Sequence, residues 1–451
     1  MTQRRFLAVA VFFAILPLHN HAQSPTDLAA LKGLAPVTVL LNTQPGKAAL
    51  GANYTVTGGL QTGAIEQPTL LPFPEQQQQA LRDVFSTTAN LAQLADGLGT
   101  TLGAAYLARA HYDDRESFTS ISQAVADTIA YAYKTSSGNS TSGKNFFANA
   151  TTDGTNPVSD EASAILKTNG GSPDPFGHAY GRPAGTAGAD KYGNSRPFQT
   201  EPTLAKIIGP DYFNSPADND VYNRGPMMDL TNNPSYPSGH TTYGYTGALI
   251  LAVLVPERYQ QMIARGAEYG NDRILFGSHY AMDVLGGRTL ALYDVAHLLA
   301  NDPAYLGRPW KGAPPIQDFR ETIKTARAEL IKILQASCGK SVEVCAREDT
   351  GRFSNPAANQ TFYDSTQTYN LPVVYPKTAA IVEDIRKLAP EAGYLLTVAF
   401  PSLSLEQADD ILTQTEGPGG GFLDDGSSFG VYSRLNLYAA SGRASQLASA
   451  K

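Results

Sequence analysis

The sequence lacks the features that mark nucleic-acid-binding and membrane-spanning proteins. Its 34 lysines and arginines are outnumbered by 41 acidic residues, and the basic residues form no block. Nucleic acid is therefore not an expected partner. Beyond the N-terminal segment no apolar run reaches the length of a spanning helix, and the stretch 249–255 is apolar but brief. Internal repeats and charge-rich linkers are also missing, which favours one large domain.

The N-terminal segment holds the longest apolar run. Two arginines precede the run 6–18, and a short polar stretch follows it to Ala22. A basic start, a short apolar centre and a small residue at the end are typical of a secretory signal peptide. We therefore expect residues 1–22 to be a signal peptide, the mature protein to be periplasmic or secreted, and no membrane span to remain. A retained N-terminal anchor is the alternative.

Cysteine is scarce, with Cys338 and Cys345 as the only two in the chain. In an exported protein a close, even pair predicts a short-loop disulfide, and two free thiols are the alternative. No histidine neighbours either cysteine in sequence, so neither is expected to be catalytic.

Apolar periodicity predicts helices over much of the chain. The longest of them cover about residues 75–110, 117–133, 238–255, 257–276, 278–300 and 316–337. Residues 23–75 are rich in glycine, threonine and proline, so we expect a loop-rich N-terminal extension there. A helical core over 76–310 and a C-terminal helical and loop segment over 311–451 follow. We predict an all-α fold, with a single helical-bundle domain, long decorating loops and the C-terminal segment packed on it.

The motif Pro237-Ser238-Gly239-His240 stands where a helix is predicted to begin. A helix N-terminus carries unpaired N–H donors and partial positive charge, and it binds phosphate-like anions. Gly239 lets such an anion approach the backbone closely. We therefore expect Ser238 and Gly239 to bind the oxygens of an anion beside His240.

Another motif, Arg273-x5-His279-x3-Asp283, follows farther along the chain. Arg273 continues a predicted buried helix face, where a guanidinium needs an anionic partner. His279 and Asp283 are four residues apart and would share one face of a helix. The carboxylate can hold one imidazole nitrogen, which leaves the other nitrogen as a nucleophile. This arrangement suits covalent phosphoryl transfer by histidine.

Together the motifs resemble the signatures of the type-2 phosphatidic acid phosphatase superfamily. This superfamily includes bacterial class A nonspecific acid phosphatases and vanadium-dependent haloperoxidases, and its pattern is K-x6-R-P, then P-S-G-H, then S-R-x5-H-x3-D. Arg196-Pro197 matches the first motif, but Ala189 stands where the lysine is usual. Lys191, five residues before Arg196, is the candidate for the lysine contact, and Asp272 replaces the usual serine.

The resemblance implies a role for each matching residue. His279 is similar to the nucleophile that takes the phosphoryl group, Asp283 to its orienting acid, and His240 to the general acid that protonates the leaving oxygen. Arg196 and Arg273 are similar to the charged clamps around the phosphate.

The resemblance also implies an exported acid phosphatase that hydrolyses phosphate monoesters through a phosphohistidine, with no metal or other cofactor. The expected partner is a small phosphorylated substrate. Two alternatives stay open: a haloperoxidase that holds vanadate as its cofactor in the same pocket, and a noncatalytic envelope protein that binds phosphate or a polymer. The oligomeric state is not predicted.

Overall fold

The computed structural model describes residues 24–68, 70–85, 89–115, 117–147, 159–168, 175–179, 181, 186–187, 189–201 and 204–450. The predicted signal peptide, residues 1–22, lies outside the described residues. The fold is all-α, as predicted. In the described part of the chain, strands occur only as two short antiparallel pairs.

The N-terminal region is helical, with α1 (Pro25–Leu34), a 3-10 helix (Ala35–Leu41) and α2 (Gln44–Thr62). The prediction of a loop-rich extension over residues 23–75 is therefore wrong. Glycine and threonine lower the intrinsic helix propensity, but capping and burial outweigh it. The side chains of Ser24 and Thr43 cap the two α-helices, and Leu50 and Leu60 are buried.

The single helix predicted over residues 75–110 is divided into α3 (Phe73–Arg82), a 3-10 helix (Ala92–Leu98) and α4 (Thr100–Leu107). Gly99 separates the last two with a φ of 96°, a conformation that L side chains rarely adopt. Leu91, Leu94 and Leu98 are all buried. The apolar spacing thus predicted the burial of this segment but not its breaks.

The middle of the chain supplies the core. It contains α5 (Gln123–Phe147), α6 (Asp160–Thr168), α7 (Pro175–Ala179), α8 (Pro197–Thr200), β1 (Ile208–Pro210), β2 (Pro216–Asp218), α9 (Asn219–Asn223), β3 (Arg224–Gly225), β4 (Met228–Asp229), α10 (Gly239–Leu254), a 3-10 turn (Pro256–Arg258), α11 (Tyr259–Leu275) and α12 (Ala281–Leu299). Helix α10 is apolar and buried along most of its length, and it packs against α5, α11 and α12. These four helices form the bundle that positions the Pro237–His240 and Arg273–Asp283 motifs, while Arg196 of the first motif precedes α8.

The C-terminal segment packs on this bundle. It comprises α13 (Phe319–Cys338), α14 (Val342–Arg347), α15 (Pro356–Thr366), α16 (Pro376–Ala379), α17 (Ile385–Leu388), a 3-10 turn (Pro390–Gly393), α18 (Tyr394–Thr397), α19 (Leu405–Gln414), a 3-10 turn (Gly430–Arg434) and α20 (Leu437–Ser449). The hydroxyl of Tyr259 on α11 donates to the main-chain oxygen of Leu395 at 2.8 Å. A disulfide between Cys338 and Cys345 joins α13 to α14. Among the described helices, none combines the length and apolar character that crossing a membrane requires.

Candidate active site

His279 and Asp283 meet at the start of α12, although not on one helix as predicted. Helix α12 begins at Ala281 with Tyr280 as its N-cap, so His279 lies in the preceding turn. The carboxylate of Asp283 accepts the N–H of Tyr280 at 2.8 Å, which caps the helix at this residue. The same carboxylate lies 3.4 Å from Nδ1 of His279. The helix cap and the orienting acid are therefore one side chain.

Helix α2 holds the start of α12 in place. Thr57 accepts the N–H of Ala281 at 3.0 Å, and the amide oxygen of Asn53 accepts the N–H of Met282 at 2.9 Å. First-turn N–H groups have no partner within their own helix, so these two side chains satisfy donors that would otherwise be buried unpaired. Neither residue was predicted to matter, because both lie in the segment expected to be loop.

Ser235 is a further residue that the motifs did not identify. Its hydroxyl donates to the carboxylate of Asp283 and lies 3.2 Å from Nδ1 of His279. All three side chains are buried. Nδ1 of His279 is therefore held from two sides, which leaves Nε2 as the nitrogen that can attack an electrophile.

Arg196 lies against that second nitrogen. Its Nη1 is 3.1 Å from Nε2 of His279 and donates to the main-chain oxygen of Ser278 at 3.0 Å. Its Nε donates to the main-chain oxygen of Asn233, and its Nη2 donates to that of Pro234. Every one of these acceptors is neutral, so the guanidinium keeps its charge available for an anion.

The PSGH motif forms the N-terminus of α10, with Ser238 as the N-cap. The Ser238 hydroxyl accepts the N–H of Thr241 at 3.1 Å, and the N–H of Ser238 donates to the main-chain oxygen of Asp283 at 3.0 Å. The expected contact of the Ser238 N–H with an anion is therefore not what the structure has, because this donor links α10 to α12. Gly239 and His240 do line a cavity, and the rings of His240 and His279 are 6.3 Å apart.

The clamp expected of Arg273 is also different in the structure. Its guanidinium is buried and points toward α3, where Nη2 donates to the main-chain oxygen of Ala80 at 3.2 Å. It lies 5.0 Å from the ring centre of Tyr269, and its Nε donates to the main-chain oxygen of the same residue. Carbonyl oxygens and an aromatic face thus take the place of the anionic partner.

Lys191 lies on the protein surface and does not line the cavity of the motif residues. Its ammonium is 5.3 Å from the ring centre of Tyr192, and its main-chain N–H donates to the side chain of Asn232. The structure therefore does not bring the predicted lysine to the site.

The cavity beside His240 has a volume of about 400 Å³ and is lined by Tyr133, Ser137, Ser140, Thr141, Lys144, Asn145, Arg196, Met228, Asp229, Leu230, Asn233, Pro234, Gly239, His240 and Tyr243. His279 is fully buried behind Arg196, whose Nη1 lies 3.1 Å from its Nε2. The lysine in this wall is Lys144 of α5, which belongs to none of the sequence motifs. Within the described residues, no group of three or more metal-ligating side chains is disposed to hold a metal ion.

Burial and nearby cations control the protonation of the two histidines. Burial holds the pKa of His240 well below its usual range, and the charges of Arg273, Arg196 and Lys144 add to this effect. Burial likewise lowers the pKa of His279 well below its usual range, and the charges of Arg196 and Lys144 are the next largest causes. Burial raises the pKa of Asp283 to about 6.

The geometry is that of an anion pocket with an oriented histidine, and comparison with known proteins agrees. Residues 163–301 match the PAP2 superfamily. The chain is 34% identical over 118 residues to an acid phosphatase of Zymomonas mobilis subsp. mobilis, which covers 26% of this chain and 39% of the relative. It is 45% identical over 69 residues to a non-specific acid phosphatase of Salmonella typhimurium, which covers 15% of this chain and 28% of the relative. A non-specific acid phosphatase of Providencia stuartii is 42% identical over 72 residues, which is 29% of its length.

Residues 163–301 are therefore a domain of the type-2 phosphatidic acid phosphatase superfamily, which confirms the resemblance drawn from the motifs. This segment contains α8 to α12 and all three motifs. The match covers well under half of the length of each of these relatives, and α1 to α5 and the C-terminal segment lie outside it.

Proposed function

We propose that this protein is an exported acid phosphatase that hydrolyses phosphate monoesters through a phosphohistidine. His279 is the nucleophile, Asp283 and Ser235 orient it, and His240 is the general acid. The periplasm or the extracellular medium is the proposed location, and a small phosphorylated molecule is the proposed substrate. The resemblance of residues 163–301 to named acid phosphatases supports the reaction class.

One observation carries the proposal most directly. Nδ1 of His279 faces Asp283 and Ser235, while Nε2 faces a guanidinium whose other contacts are neutral carbonyls. A pocket that only binds phosphate needs the cation but has no use for an imidazole fixed by a buried carboxylate. The oriented histidine therefore favours catalysis over simple binding.

The proposed chemistry has two steps. In the first, Nε2 of His279 attacks phosphorus, the bond from phosphorus to the ester oxygen breaks, and His240 gives its proton to the departing oxygen. In the second, water attacks the phosphohistidine and passes a proton to His240, the bond from nitrogen to phosphorus breaks, and inorganic phosphate leaves. Arg196 and the N–H groups at the start of α10 stabilise the charge on the phosphoryl oxygens in both steps.

An assay with p-nitrophenyl phosphate tests the proposal. We expect purified wild-type protein to release p-nitrophenol below neutrality, and to do so after dialysis against EDTA because the positive charge comes from the protein itself. We expect His279→Ala to be inactive and to take up no acid-labile label from a radiolabelled phosphate ester. Vanadate, which mimics the pentacoordinate phosphorus, should inhibit competitively.

A parallel assay with vanadate, bromide and peroxide separates the alternatives. Bromide oxidation without ester hydrolysis would indicate that the protein is a haloperoxidase that uses the same pocket, and not a phosphatase. Phosphate binding with neither activity would favour the noncatalytic binding protein. Recovery of lost ester hydrolysis on adding a divalent ion would contradict the proposal of a metal-free reaction.

A further inference from the structure

The lysine in the cavity wall comes from a part of the chain outside the PAP2-superfamily match. Lys144 lies near the C-terminal end of α5, and its Nζ donates to the main-chain oxygen of Pro234. The amide oxygen of Asn233 and the main-chain oxygen of Ser235 lie 3.4 and 3.5 Å from the same nitrogen. Lys144 and Arg196 therefore both donate hydrogen bonds to the loop formed by residues 233–235.

Close packing of α5 against the PSGH turn puts Lys144 in this position. A Cβ atom at Gly143 would lie 3.0 Å from the side chain of Leu34 and 3.2 Å from the ring of Pro237, so even an added methyl group would require these neighbours or the helix to shift. A Cβ atom at Gly239 would lie 3.4 Å from Cε of Lys144. The lysine stem thus passes over the first residue of α10, where the anion is expected to bind.

Ser140 precedes Lys144 by one helical turn and shares its face of α5. It lines the same cavity and is 2% exposed, and its hydroxyl has no hydrogen-bond partner among the described residues. A buried hydroxyl without a partner is costly unless something that binds in the cavity satisfies it. A Cβ atom at Gly239 would lie 3.5 Å from this hydroxyl, so Ser140 also borders the N-terminus of α10.

The charge on this wall of the cavity is incompletely balanced. The oxygens closest to Nζ of Lys144 belong to carbonyl and amide groups, and the acceptors around Arg196 are carbonyl oxygens as well. Burial lowers the pKa of Lys144 well below its usual range, and Arg196 adds to the effect, whereas Asp283 and Asp190 oppose it. A bound anion would stabilise both cations.

We propose that Lys144 and Ser140 of α5 bind the phosphoryl oxygens of the substrate, and that Lys144 supplies the lysine contact for which the first motif has no residue. The inference rests on the proposed function, because it assigns two further residues to the same site. An ammonium and a hydroxyl on one helix face present two donors to a tetrahedral anion, beside the N–H groups at the start of α10.

The test compares three lysine-to-methionine variants by calorimetric titration with inorganic phosphate. We expect Lys144→Met to weaken phosphate binding by roughly 10–100-fold, because it removes a charge-assisted hydrogen bond. Lys191→Met tests the lysine that lies closest in sequence to the first motif, and Lys332→Met makes the same change at an exposed position on α13. Both are expected to bind phosphate as the wild type does. Ser140→Ala should weaken binding by roughly threefold to tenfold.

A second measurement separates phosphate binding from a structural role. Lys144 is one of the cations that lower the pKa of His240, so its removal should shift the alkaline limb of kcat/KM to higher pH. Lys144→Arg keeps the charge, so it should restore the limb and part of the affinity. If Lys144→Met does not fold, Lys144→Arg and Ser140→Ala still decide the matter through the affinity for phosphate.

The results distinguish this inference from the proposed function. A wild type that hydrolyses p-nitrophenyl phosphate, with Lys144→Met and Ser140→Ala unchanged in phosphate affinity, would overturn the inference alone. Loss of affinity in Lys191→Met but not in Lys144→Met would overturn it in favour of Lys191. A wild type that binds phosphate through Lys144 but hydrolyses no ester would support the inference and overturn the proposed function.

Discussion

The hydroxyl of Ser235 lies 3.2 Å from Nδ1 of His279 and donates to the same carboxylate that faces this nitrogen. The proposed nucleophile is therefore oriented by two side chains and not by Asp283 alone. Ser235 also lowers the pKa of Asp283 by its hydrogen bond, in opposition to burial. This relationship predicts a positioning role for Ser235 that differs from a purely structural one.

Ser235→Ala should lower kcat roughly 10–100-fold with little change in KM, because one buried charge-assisted hydrogen bond is lost. The pKa of Asp283 should rise further, so the acid limb of the pH profile should move to higher pH. The matched control is Ser136→Ala, which removes another buried hydroxyl that is not part of the cavity wall. Equal effects of the two variants on kcat and on the acid limb would show that Ser235 only supports the fold.

His240→Ala should separate the two steps of the reaction. Loss of a general acid typically lowers the rate ~10²–10⁴-fold, and the loss is greatest for esters whose leaving oxygen needs a proton. The variant should therefore retain activity toward p-nitrophenyl phosphate, lose it toward alkyl phosphates, and accumulate phosphoenzyme. His111→Ala, which removes a half-exposed imidazole, is the control. A variant that treats both kinds of ester alike would contradict the assignment of His240.

Activity should be bell-shaped on the acidic side of neutrality. His240 must be protonated to donate a proton, and its pKa is lowered by burial and by the charges of Arg273, Arg196 and Lys144. The midpoint of the alkaline limb of kcat/KM should therefore lie below pH ~6.5, the ordinary pKa of histidine. The same limb in kcat should lie at higher pH, because a bound phosphate dianion favours the imidazolium.

The acid limb of this profile involves two groups. His279 must be neutral to attack and its pKa is lowered, while the pKa of Asp283 is raised to about 6, so the carboxylate that orients the nucleophile is lost as the pH falls through that value. The limbs belong to the coupled set of groups. An alkaline optimum, or an alkaline limb that His240→Asn leaves unchanged, would show that the acid is a different residue.

The disulfide between Cys338 and Cys345 should stabilise the C-terminal segment. Its short loop restricts the unfolded chain and is expected to contribute about 2–3 kcal/mol to the free energy of unfolding. Replacement of both cysteines by serine should lower the melting temperature, and dithiothreitol should lower that of the wild type but not of the double variant. Identical melting curves for the oxidised wild type and the double variant would contradict this expectation.

Local sequence patterns identified the motif residues of the site, but they did not predict the helices and contacts that surround these residues. The start of α10 at the Pro237–His240 motif and the pairing of His279 with Asp283 depend on residues a few positions apart, so the motif spacing was sufficient to identify them. The position of His279 before α12 was missed, because the cap formed by Asp283 competes with continuation of the helix. Helix α2 was also missed, because its glycine and threonine residues have low helix propensity and its helical form depends on packing.

The sequence by itself determined the all-α class. Its motifs also identified His240, His279, Asp283 and Arg196, which the structure brings together. Only the tertiary structure decided which lysine lies in the cavity, where Arg273 points and which side chains hold the start of α12. Lys144, Ser140, Asn53 and Thr57 reach the site from helices distant in sequence. Such contacts arise from the packing of whole helices, and no local spacing or propensity encodes them.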